Sequence, residues 1–342
     1  SDTRPVPGGR ERAPGAGRAD GRDVRPAGGR DTDGSPRFDQ SVPSGGYLWW
    51  YVDALSDDGQ HGLTIIAFVG SVFSPYYRRA LERGAADPEN HCALNVALYG
   101  RKPRWAMTER GKQSVERSAT HFSIGPSSLQ WRGDHLEIDI CEVGMPLPLP
   151  VRGKVRVYPS SLSTFGVALD DGARHRWGPL AACARVTVEM QNPSQRWSGH
   201  AYLDSNEGDE PISEPFREWD WSRSLLSDGS SAVIYDIQQK RGEDRLLGLR
   251  FLPDGRIDEF MPPPRQSMAL TGWRIPRRMR SEGDAPVHVI DMLEDTPFYE
   301  RSVLKSRLFG EDVISVHETL NVPRLVSPIV QRLLPFRMPR WG

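Results

Sequence analysis

Short apolar runs separated by turn residues are the main pattern of the chain from Phe38 onward. The runs over 47–53 and 63–69 are almost uninterrupted, whereas the run over 135–141 alternates between apolar and polar positions. Runs of this length, rich in β-branched and aromatic residues and bounded by turn residues, predict β-strands. Further runs of this kind occupy 154–158, 232–237, 246–251, 256–260, 287–290 and 313–316.

One segment carries the signals of a helix instead. Ser74 can cap a helix, Pro75 suits its first turn, residues 76–83 can carry it, and Gly84 can end it. Many short strands with few short helices predict an all-β chain built of antiparallel β-barrels or sandwiches.

The domain organisation follows from the strand count and from two unusual ends. The strands are too many for one barrel, so we expect two β-barrel domains, over 38–190 and 191–321, with Asn192-Pro193 interrupting a strand near the boundary. Residues 1–37 are rich in Arg, Gly and Pro and have little to bury, which predicts a disordered tail. Residues 322–342 are basic and apolar, and they suit either an interfacial membrane contact or a tail packed on the second barrel.

Composition and motif searches exclude several classes of protein. The net charge is -1, so no global attraction to nucleic acid is expected. The chain has no apolar run of about 18 residues, and we expect no transmembrane helix and, from its polar, charged start, no signal peptide. The three cysteines are far apart and predict reduced thiols of a cytosolic protein. Glycine-rich nucleotide loops and histidines at metal-ligand spacing are missing, so we expect no cofactor and no metal.

Aromatic and titratable residues concentrate between 197 and 223. In strand geometry, residues two apart point to the same side, so they would form an aromatic wall with embedded carboxyl and imidazole groups. Such a wall is typical of a reactive pocket, although an ordinary tryptophan core would give the same pattern. A His-x-Trp pair upstream shares one face in the same way. The candidates are His175, Trp177, His200, Tyr202, Asp204, Trp219 and Trp221.

At these motifs the chain resembles the carotenoid 1,2-hydratases of purple photosynthetic bacteria, also called hydroxyneurosporene synthases. The resemblance covers nearly everything from Phe38 onward. It implies two lipocalin-like β-barrels and the addition of water to the terminal double bond of an acyclic carotenoid such as neurosporene or lycopene, without cofactor, metal or redox step. The segments that carry it are 38–40, 49–53, 65–75, 199–206 and 219–223.

The implied reaction needs an acid that is still protonated at neutral pH, because an isolated alkene is a very weak base. A carboxyl group in an apolar pocket meets this need, since burial disfavours its charged form. We expect Asp204 to be this acid, with Tyr202 either orienting it by a hydrogen bond or presenting its ring to the cation that protonation creates. Asp53 and Asp220 are the alternative acids.

The implied reaction also needs groups that stabilise a cation and accept a proton. Trp177 is the first candidate for the ring that faces the tertiary cation, with Trp219 and Trp221 behind it. His175 is the expected base for the attacking water, and His200 is the alternative histidine. The resemblance makes the pairs His175/Trp177 and Tyr202/Asp204 the positions expected to be essential.

Two other functions fit the sequence less closely. A carrier of carotenoids or lipids would need an apolar cavity but no acid. A glycoside-acting enzyme would use two carboxylates along an aromatic cleft. A carotenoid substrate is dissolved in lipid, so the hydratase hypothesis also predicts a cytoplasmic protein in peripheral contact with the lipid of the inner membrane.

Overall fold

The computed structural model describes residues 27–284 and 286–342. Residues 1–26, most of the predicted N-terminal tail, lie outside this part of the chain. The described chain is dominated by antiparallel strands and has few short helices, which confirms the predicted all-β class.

The strands are named in chain order. The first twelve are β1 (Tyr47–Ser56), β2 (His61–Val69), β3 (Cys92–Gly100), β4 (Arg104–Arg110), β5 (Val115–Arg117), β6 (His121–Ile124), β7 (Ser127–Trp131), β8 (Leu136–Val143), β9 (Pro150–Pro159), β10 (Val167–Ala168), β11 (His175–Asn192) and β12 (Ser194–Gly208). The others are β13 (Phe216–Leu225), β14 (Ser231–Gln239), β15 (Arg245–Phe251), β16 (Ile257–Glu259), β17 (Arg265–Ser267), β18 (Arg278–Arg280), β19 (His288–Asp295), β20 (Tyr299–Leu308), β21 (Glu311–Asn321) and β22 (Arg340–Trp341).

The helices are α1 (Pro75–Glu82), α2 (Val322–Leu325) and α3 (Pro328–Arg337). The helix predicted from the sequence is confirmed as α1. Its cap is Ser74, whose hydroxyl accepts a hydrogen bond from the backbone N–H of Tyr77 at 2.9 Å. Gly84 follows the helix with a φ of 70°, a left-handed conformation that glycine adopts without strain.

Two large sheets make up the fold. The first has the order β22-β4-β3-β2-β1-β12-β11-β9-β8-β7-β6-β5, with β10 beside β11. The second has the order β16-β15-β14-β13-β21-β20-β19, and β17 and β18 form a separate hairpin. Neighbouring strands are antiparallel throughout these ladders except for the parallel pair β22 and β4.

Strand β1 explains why several runs read as continuously apolar. Leu48 and Trp50 pack into a core within the first sheet, whereas Trp49 and Tyr51 pack into a second core that lies between the two sheets. Both faces of the strand are therefore buried, and alternation of apolar with polar residues is lost. The second core is the one that contains the candidate site.

The change from the first to the second sheet comes later in the chain than expected. Strand β12 pairs with β1 and β11, so it belongs to the first sheet. Asn192-Pro193 lies at the turn between β11 and β12 and separates two strands of one sheet. The second sheet begins at Phe216.

The end of the predicted N-terminal tail is packed rather than disordered from Ala27 onward. The guanidinium of Arg30 donates hydrogen bonds to the carbonyl oxygens of Gly178 (2.6 Å) and Ser163 (3.0 Å) and to Ser205 Oγ (2.9 Å). These acceptors lie where a bulge interrupts the ladder of β11, and buried carbonyls need a donor. An arginine can therefore be the buried anchor of a segment with little apolar content.

The C-terminal segment over 322–342 was expected either to contact a membrane or to pack on the second barrel. In the structure its end is also attached to the first sheet. Arg340 on β22 pairs with Glu109 on β4, with Nη1 and Oε2 2.5 Å apart. On α3, the side chains of Ile329, Leu333 and Phe336 are exposed by 72%, 53% and 76%. None of the described helices is long and apolar enough to cross a membrane.

Candidate active site

A chamber between the two sheets brings most of the candidate residues together. It is a small, partly open space that is walled mainly by aromatic rings. Trp49 and Trp177 come from the first sheet, and Trp219, Trp221 and Tyr235 come from the second. The site therefore requires both sheets, because neither one alone encloses it.

Asp204 is the buried acid of this chamber. It lies in the middle of β12, with β1 on one side and β11 on the other, and only 3% of its surface is exposed. Its Oδ2 accepts hydrogen bonds from Trp177 Nε1 and from the hydroxyl of Tyr202, both at 2.8 Å. Its Oδ1 is buried and has no hydrogen-bond partner within residues 27–284 and 286–342.

Burial raises the pKa of Asp204 to about 8. The hydrogen bonds from Trp177 and Tyr202 act in the opposite direction, and the charges of Glu318 and Asp53 raise the pKa further. The carboxyl group is therefore neutral at pH 7. Since Oδ2 already accepts two hydrogen bonds, the proton belongs on Oδ1, the oxygen without a partner.

Trp219 and Trp221 line the chamber from the second sheet. The Trp221 ring lies 5.4 Å from the ring of Tyr202 and 5.5 Å from that of Tyr51, measured between centroids. The indole N–H groups of both tryptophans are buried without a hydrogen-bond partner in the described chain. They offer ring faces to a cation and free donors to a water or hydroxyl.

His175 lies outside the chamber. It is opposite Gly208 in the β11–β12 ladder, four residues along β12 from Asp204, or ~13 Å along the strand. Its Nδ1 is 2.8 Å from the hydroxyl of Tyr47, whose ring stacks on Trp49 at 4.9 Å. Burial lowers the pKa of His175 to about 3, so the ring is neutral. His175 therefore supports the chamber wall through Tyr47 and lies away from Asp204.

His200 lies at the other end of β12. It is 3.4 Å from Arg223 Nη1 through its Nδ1, and it borders a separate surface cavity. Burial, followed by the charge of Arg223, lowers the pKa of His200 to about 4. The structure does not bring this alternative histidine into the chamber.

The two alternative acids are engaged elsewhere. Asp53 accepts hydrogen bonds from Arg223 Nε at 2.8 Å and from the Tyr51 hydroxyl at 3.0 Å. Asp220 accepts from Thr319 Oγ1 at 2.6 Å. Neither carboxylate lines the chamber, so Asp204 is the carboxyl group of the predicted set that does.

Glu318 is a chamber residue that the sequence reasoning missed. Its Oε2 accepts hydrogen bonds from the hydroxyl of Tyr299 at 2.6 Å and from Arg301 Nη2 at 2.7 Å. A signal was available in the sequence. The alternation of the 313–316 run continues beyond its end and puts Glu318 on the same face as the buried Val316.

A second cavity adjoins the chamber and leads toward α3. The two cavities share Ile66, Phe73 and Tyr299, and the second one continues to Trp105 and Met338. The lining of the second cavity is mostly apolar. The two neighbouring cavities, together called the passage, extend from Asp204 to the end of the C-terminal helix.

Among the described residues, Asp170, His175 and Glu210 are the group whose donor atoms lie close enough together for a metal ion, within 4.8 Å. Their ligand atoms already have partners. Asp170 Oδ1 accepts from the backbone N–H of His175 at 2.8 Å, and Glu210 Oε2 pairs with Arg174 at 2.5 Å. We describe this group as a hydrogen-bonded cluster.

The two sheets and the acid between them define the class, a lipocalin-like protein with a buried carboxyl group in an aromatic chamber. The fold is similar to the solved structure of a Nitrosomonas europaea protein described as AttH, with a TM-score of 0.55 at 14% identity, covering 81% of this chain and 92% of that one. This likeness concerns the fold alone.

Sequence comparison gives the family. Residues 65–342 match the model of the carotenoid hydratase family CrtC. The chain is 61% identical over 310 residues to the acyclic carotenoid 1,2-hydratase of Rubrivivax gelatinosus, covering 90% of this chain and 76% of that protein. It is 50% identical over 334 residues to the enzyme of the same name from Thiocapsa roseopersicina, covering 97% and 82%. The chain belongs to the carotenoid hydratase family CrtC, a family of hydro-lyases.

Proposed function

We propose that the protein adds water to the terminal 1,2 double bond of an acyclic carotenoid, such as neurosporene or lycopene, and forms the 1-hydroxy carotenoid. The observation that carries this proposal is the unpartnered Oδ1 of Asp204, a neutral carboxyl at pH 7 in a chamber of aromatic rings. The relatives named acyclic carotenoid 1,2-hydratase support the same reaction.

Asp204 is the proton donor in this proposal. Its Oδ1–H protonates C2 of the alkene, which leaves a tertiary cation at C1 and a carboxylate on Asp204. The hydrogen bonds from Trp177 and Tyr202 to Oδ2 strengthen as that carboxylate forms, so they stabilise the transition state more than the ground state. Water then captures the cation at C1.

The rings of the chamber stabilise the cation until water arrives. Each well-placed aromatic face contributes about 0.5–2 kcal/mol to a nearby cation, and about 1.4 kcal/mol corresponds to a tenfold rate. Trp177, Trp219 and Trp221 all line the chamber with Asp204. An apolar wall also keeps other water away from the cation.

The second cavity is the proposed path of the polyene. The chamber accepts one end of a long molecule, and the mostly apolar cavity beyond Phe73 and Tyr299 accepts the part that follows. This cavity reaches Arg337 and Met338 at the end of α3. The exposed apolar residues of α3 thus stand beside the entrance.

We further propose that α3 contacts the lipid in which the substrate is dissolved. Exposed apolar side chains with nearby arginines suit the boundary between headgroups and acyl chains. Ile329, Leu333 and Phe336 are exposed, and Arg332 is exposed between them. The protein would then be a peripheral protein on the cytoplasmic face of the inner membrane.

The Asp204→Asn variant tests the proposal. Asparagine keeps the size of the side chain and an acceptor for Trp177 and Tyr202 but has no proton to donate, so hydration of lycopene in detergent micelles should fall at least a thousandfold, an effect on the order of 4 kcal/mol. Asp220→Asn is the control because Asp220, the other alternative acid, lies outside the chamber. It should hydrate at the parent rate per folded molecule.

A carotenoid carrier is the alternative function. A carrier would bind lycopene equally well in the parent and in Asp204→Asn and would form no hydroxy product in either. Product formation by the parent at a rate that Asp204→Asn retains would instead refute Asp204 as the acid.

A further inference from the structure

We propose that Glu318 is the base of this hydration and removes a proton from the water that attacks C1. The inference rests on the proposed function and adds a second catalytic residue to it. Glu318 lies on β21 of the second sheet, whereas Asp204 lies on β12 of the first, and both line the chamber. A double bond held in the chamber would lie between a donor on one sheet and an acceptor on the other.

One oxygen of Glu318 is fixed and the other is free. Oε2 accepts the hydrogen bonds from Tyr299 and Arg301, at 2.6 Å and 2.7 Å. Oε1 accepts none from any residue that the structure describes. The Glu318 side chain is 15% exposed, compared with 3% for the Asp204 residue, so the carboxylate can meet a water that enters the chamber.

Arg301 forms a buried salt bridge with Glu318. Its side chain is 1% exposed, and its guanidinium lies over the Tyr51 ring at 5.3 Å from the centroid. A guanidinium stays protonated even when it is buried, and a buried cation needs an anion beside it. Glu318 is that anion at 2.7 Å, whereas no cation is hydrogen-bonded to Asp204 in the described chain. The two carboxyl groups therefore have different partners, a cation for Glu318 and neutral donors for Asp204, as expected for a base and an acid in one site.

Trp221 completes a site for the water. It is directly opposite Glu318 in the β13–β21 ladder, so the two side chains lie on the same face of the sheet. Its Nε1–H is buried without a partner in the described chain. A bound water needs at least two polar partners, and this cross-strand pair supplies one donor and one acceptor.

The proton balance of the step is simple. Asp204 gives its proton to C2, the water oxygen forms the bond to C1, and one water proton passes to Glu318. The alkene and water become a tertiary alcohol, and a proton has moved from Asp204 to Glu318. Release of a proton from Glu318 to solvent and uptake of one by Asp204 restore the resting state without any other reactant.

His175, the base expected from the sequence, does not compete for this role. Its two ring nitrogens lie 2.8 Å from Tyr47 and 3.4 Å from Glu210, and it does not line the chamber. Glu318 is the other carboxyl group among the residues that line the chamber with Asp204.

Hydration in D2O separates the base from the acid. Asp204 carries a deuteron in D2O and delivers it to C2. If the cation loses a proton from C2 before water captures it, the recovered alkene contains deuterium. The ratio of deuterium exchange to hydration therefore compares two fates of the cation, loss of a proton to regenerate the alkene and capture by water. A purely structural defect would lower both processes together and leave this ratio unchanged.

Glu318→Gln is the main variant, assayed as the full chain with lycopene in detergent micelles. Hydration should fall at least tenfold, while deuterium in recovered lycopene, followed by mass spectrometry, should persist, so the ratio of exchange to hydration rises at least tenfold. Asp204→Asn should lose both. Glu318→Asp keeps a carboxylate for Arg301 but moves its oxygens back by one methylene. It should raise the ratio of exchange to hydration by a smaller factor than Glu318→Gln does.

Glu300→Gln is the matched control, since Glu300 also pairs with a buried arginine, Arg277, at 2.9 Å but lies outside the chamber. It should lose stability and keep the parent ratio. Hydration by Glu318→Gln at the parent rate, or an equal fall of hydration and exchange in both Glu318 variants, would overturn the proposal. A parent protein that neither hydrates nor exchanges lycopene would refute the proposed function itself.

Discussion

Tyr202 donates its hydroxyl to Asp204 Oδ2 at 2.8 Å, from two residues away on the same face of β12. This hydrogen bond lowers the pKa of Asp204 against the effect of burial, so it makes the buried carboxyl a stronger acid. Trp177 acts on the same oxygen from the neighbouring strand. The two donors stabilise the carboxylate that remains after proton transfer, and this gives the first prediction.

Tyr202→Phe should slow hydration roughly 10- to 100-fold, since a hydrogen bond to a charged group contributes about 1.5–3 kcal/mol. It should also move the alkaline decline of activity to higher pH, because the pKa of Asp204 rises when a bond to its carboxylate is lost. Tyr235→Phe is the control. Tyr235 lines the chamber but makes no hydrogen bond to Asp204, so its pH profile should stay in place. A coincident profile for Tyr202→Phe and the parent would contradict the argument.

The pH dependence of the parent enzyme is the second prediction. Hydration requires protonated Asp204, whose pKa burial raises to about 8. From pH 6 up to this value the rate constant should be independent of pH, and above it the rate constant should fall about tenfold per pH unit. Initial rates from pH 6 to 10 would check this. A rate constant that already falls tenfold per unit at pH 6 would show that the acid has an ordinary carboxyl pKa and would contradict the value assigned to Asp204.

The stability of Asp204→Asn is the third prediction. The folded pKa lies above the unfolded one, so the folded state binds one proton more between about pH 4 and pH 8. In this window Asp204 makes the parent lose stability as pH rises, by about 1.4 kcal/mol per unit. The asparagine variant lacks this loss. Urea unfolding of both proteins should give a stability difference that grows in favour of the variant from pH 5 to 8 and then levels off. Because other titrating groups are common to both, a constant difference would contradict the assigned pKa.

The aromatic wall gives the fourth prediction. Trp221→Leu should slow hydration roughly 2- to 30-fold more than Trp221→Phe, because the leucine removes a ring worth about 0.5–2 kcal/mol to a cation. Binding of the unreacted carotenoid should change similarly in both variants, since both lose contact area. Equal rates for the two variants would show that the ring at this position does not face the cation.

The sequence predicted the parts of the site that depend on local geometry. The alternation of a strand puts Tyr202 and Asp204 on one face, and in the structure the Tyr202 hydroxyl bonds Asp204, which lines the chamber. The His-x-Trp pattern makes Trp177 a candidate in the sequence, and in the structure its indole N–H donates a hydrogen bond to Asp204. Both relationships are local, because the residues lie either two apart on one strand or on the two paired strands of one hairpin.

The sequence could not predict contacts between distant segments. Glu318 and Asp204 line the same chamber because β21 and β12 lie in two sheets that pack face to face. No local sequence pattern predicts that packing. His175 shares a face with Trp177, but it lies opposite Gly208, four residues along β12 from Asp204. The sequence predicts that Arg30 belongs to a disordered tail. It cannot show the acceptors of Arg30, such as the Gly178 carbonyl, because they are far away in the chain.

The exposed face of α3 gives the last prediction. Replacing Ile329, Leu333 and Phe336 together with serine should weaken flotation of the protein with liposomes, since each apolar side chain contributes about 1.5–3 kcal/mol when it is fully buried. Hydration of lycopene embedded in liposomes should fall with it, whereas hydration of lycopene in detergent micelles should be retained, because these side chains do not line the passage.

A matched control uses exposed apolar residues elsewhere. Leu147, Met261 and Leu270 are exposed by 68%, 86% and 53%, and their replacement with serine removes a similar apolar area from the surface. This control should float with liposomes as the parent does. If both triple variants lost flotation equally, membrane contact would depend on overall surface hydrophobicity. If neither did, α3 would not be the membrane contact, and the polyene would have to reach the passage beside Arg337 without help from this helix.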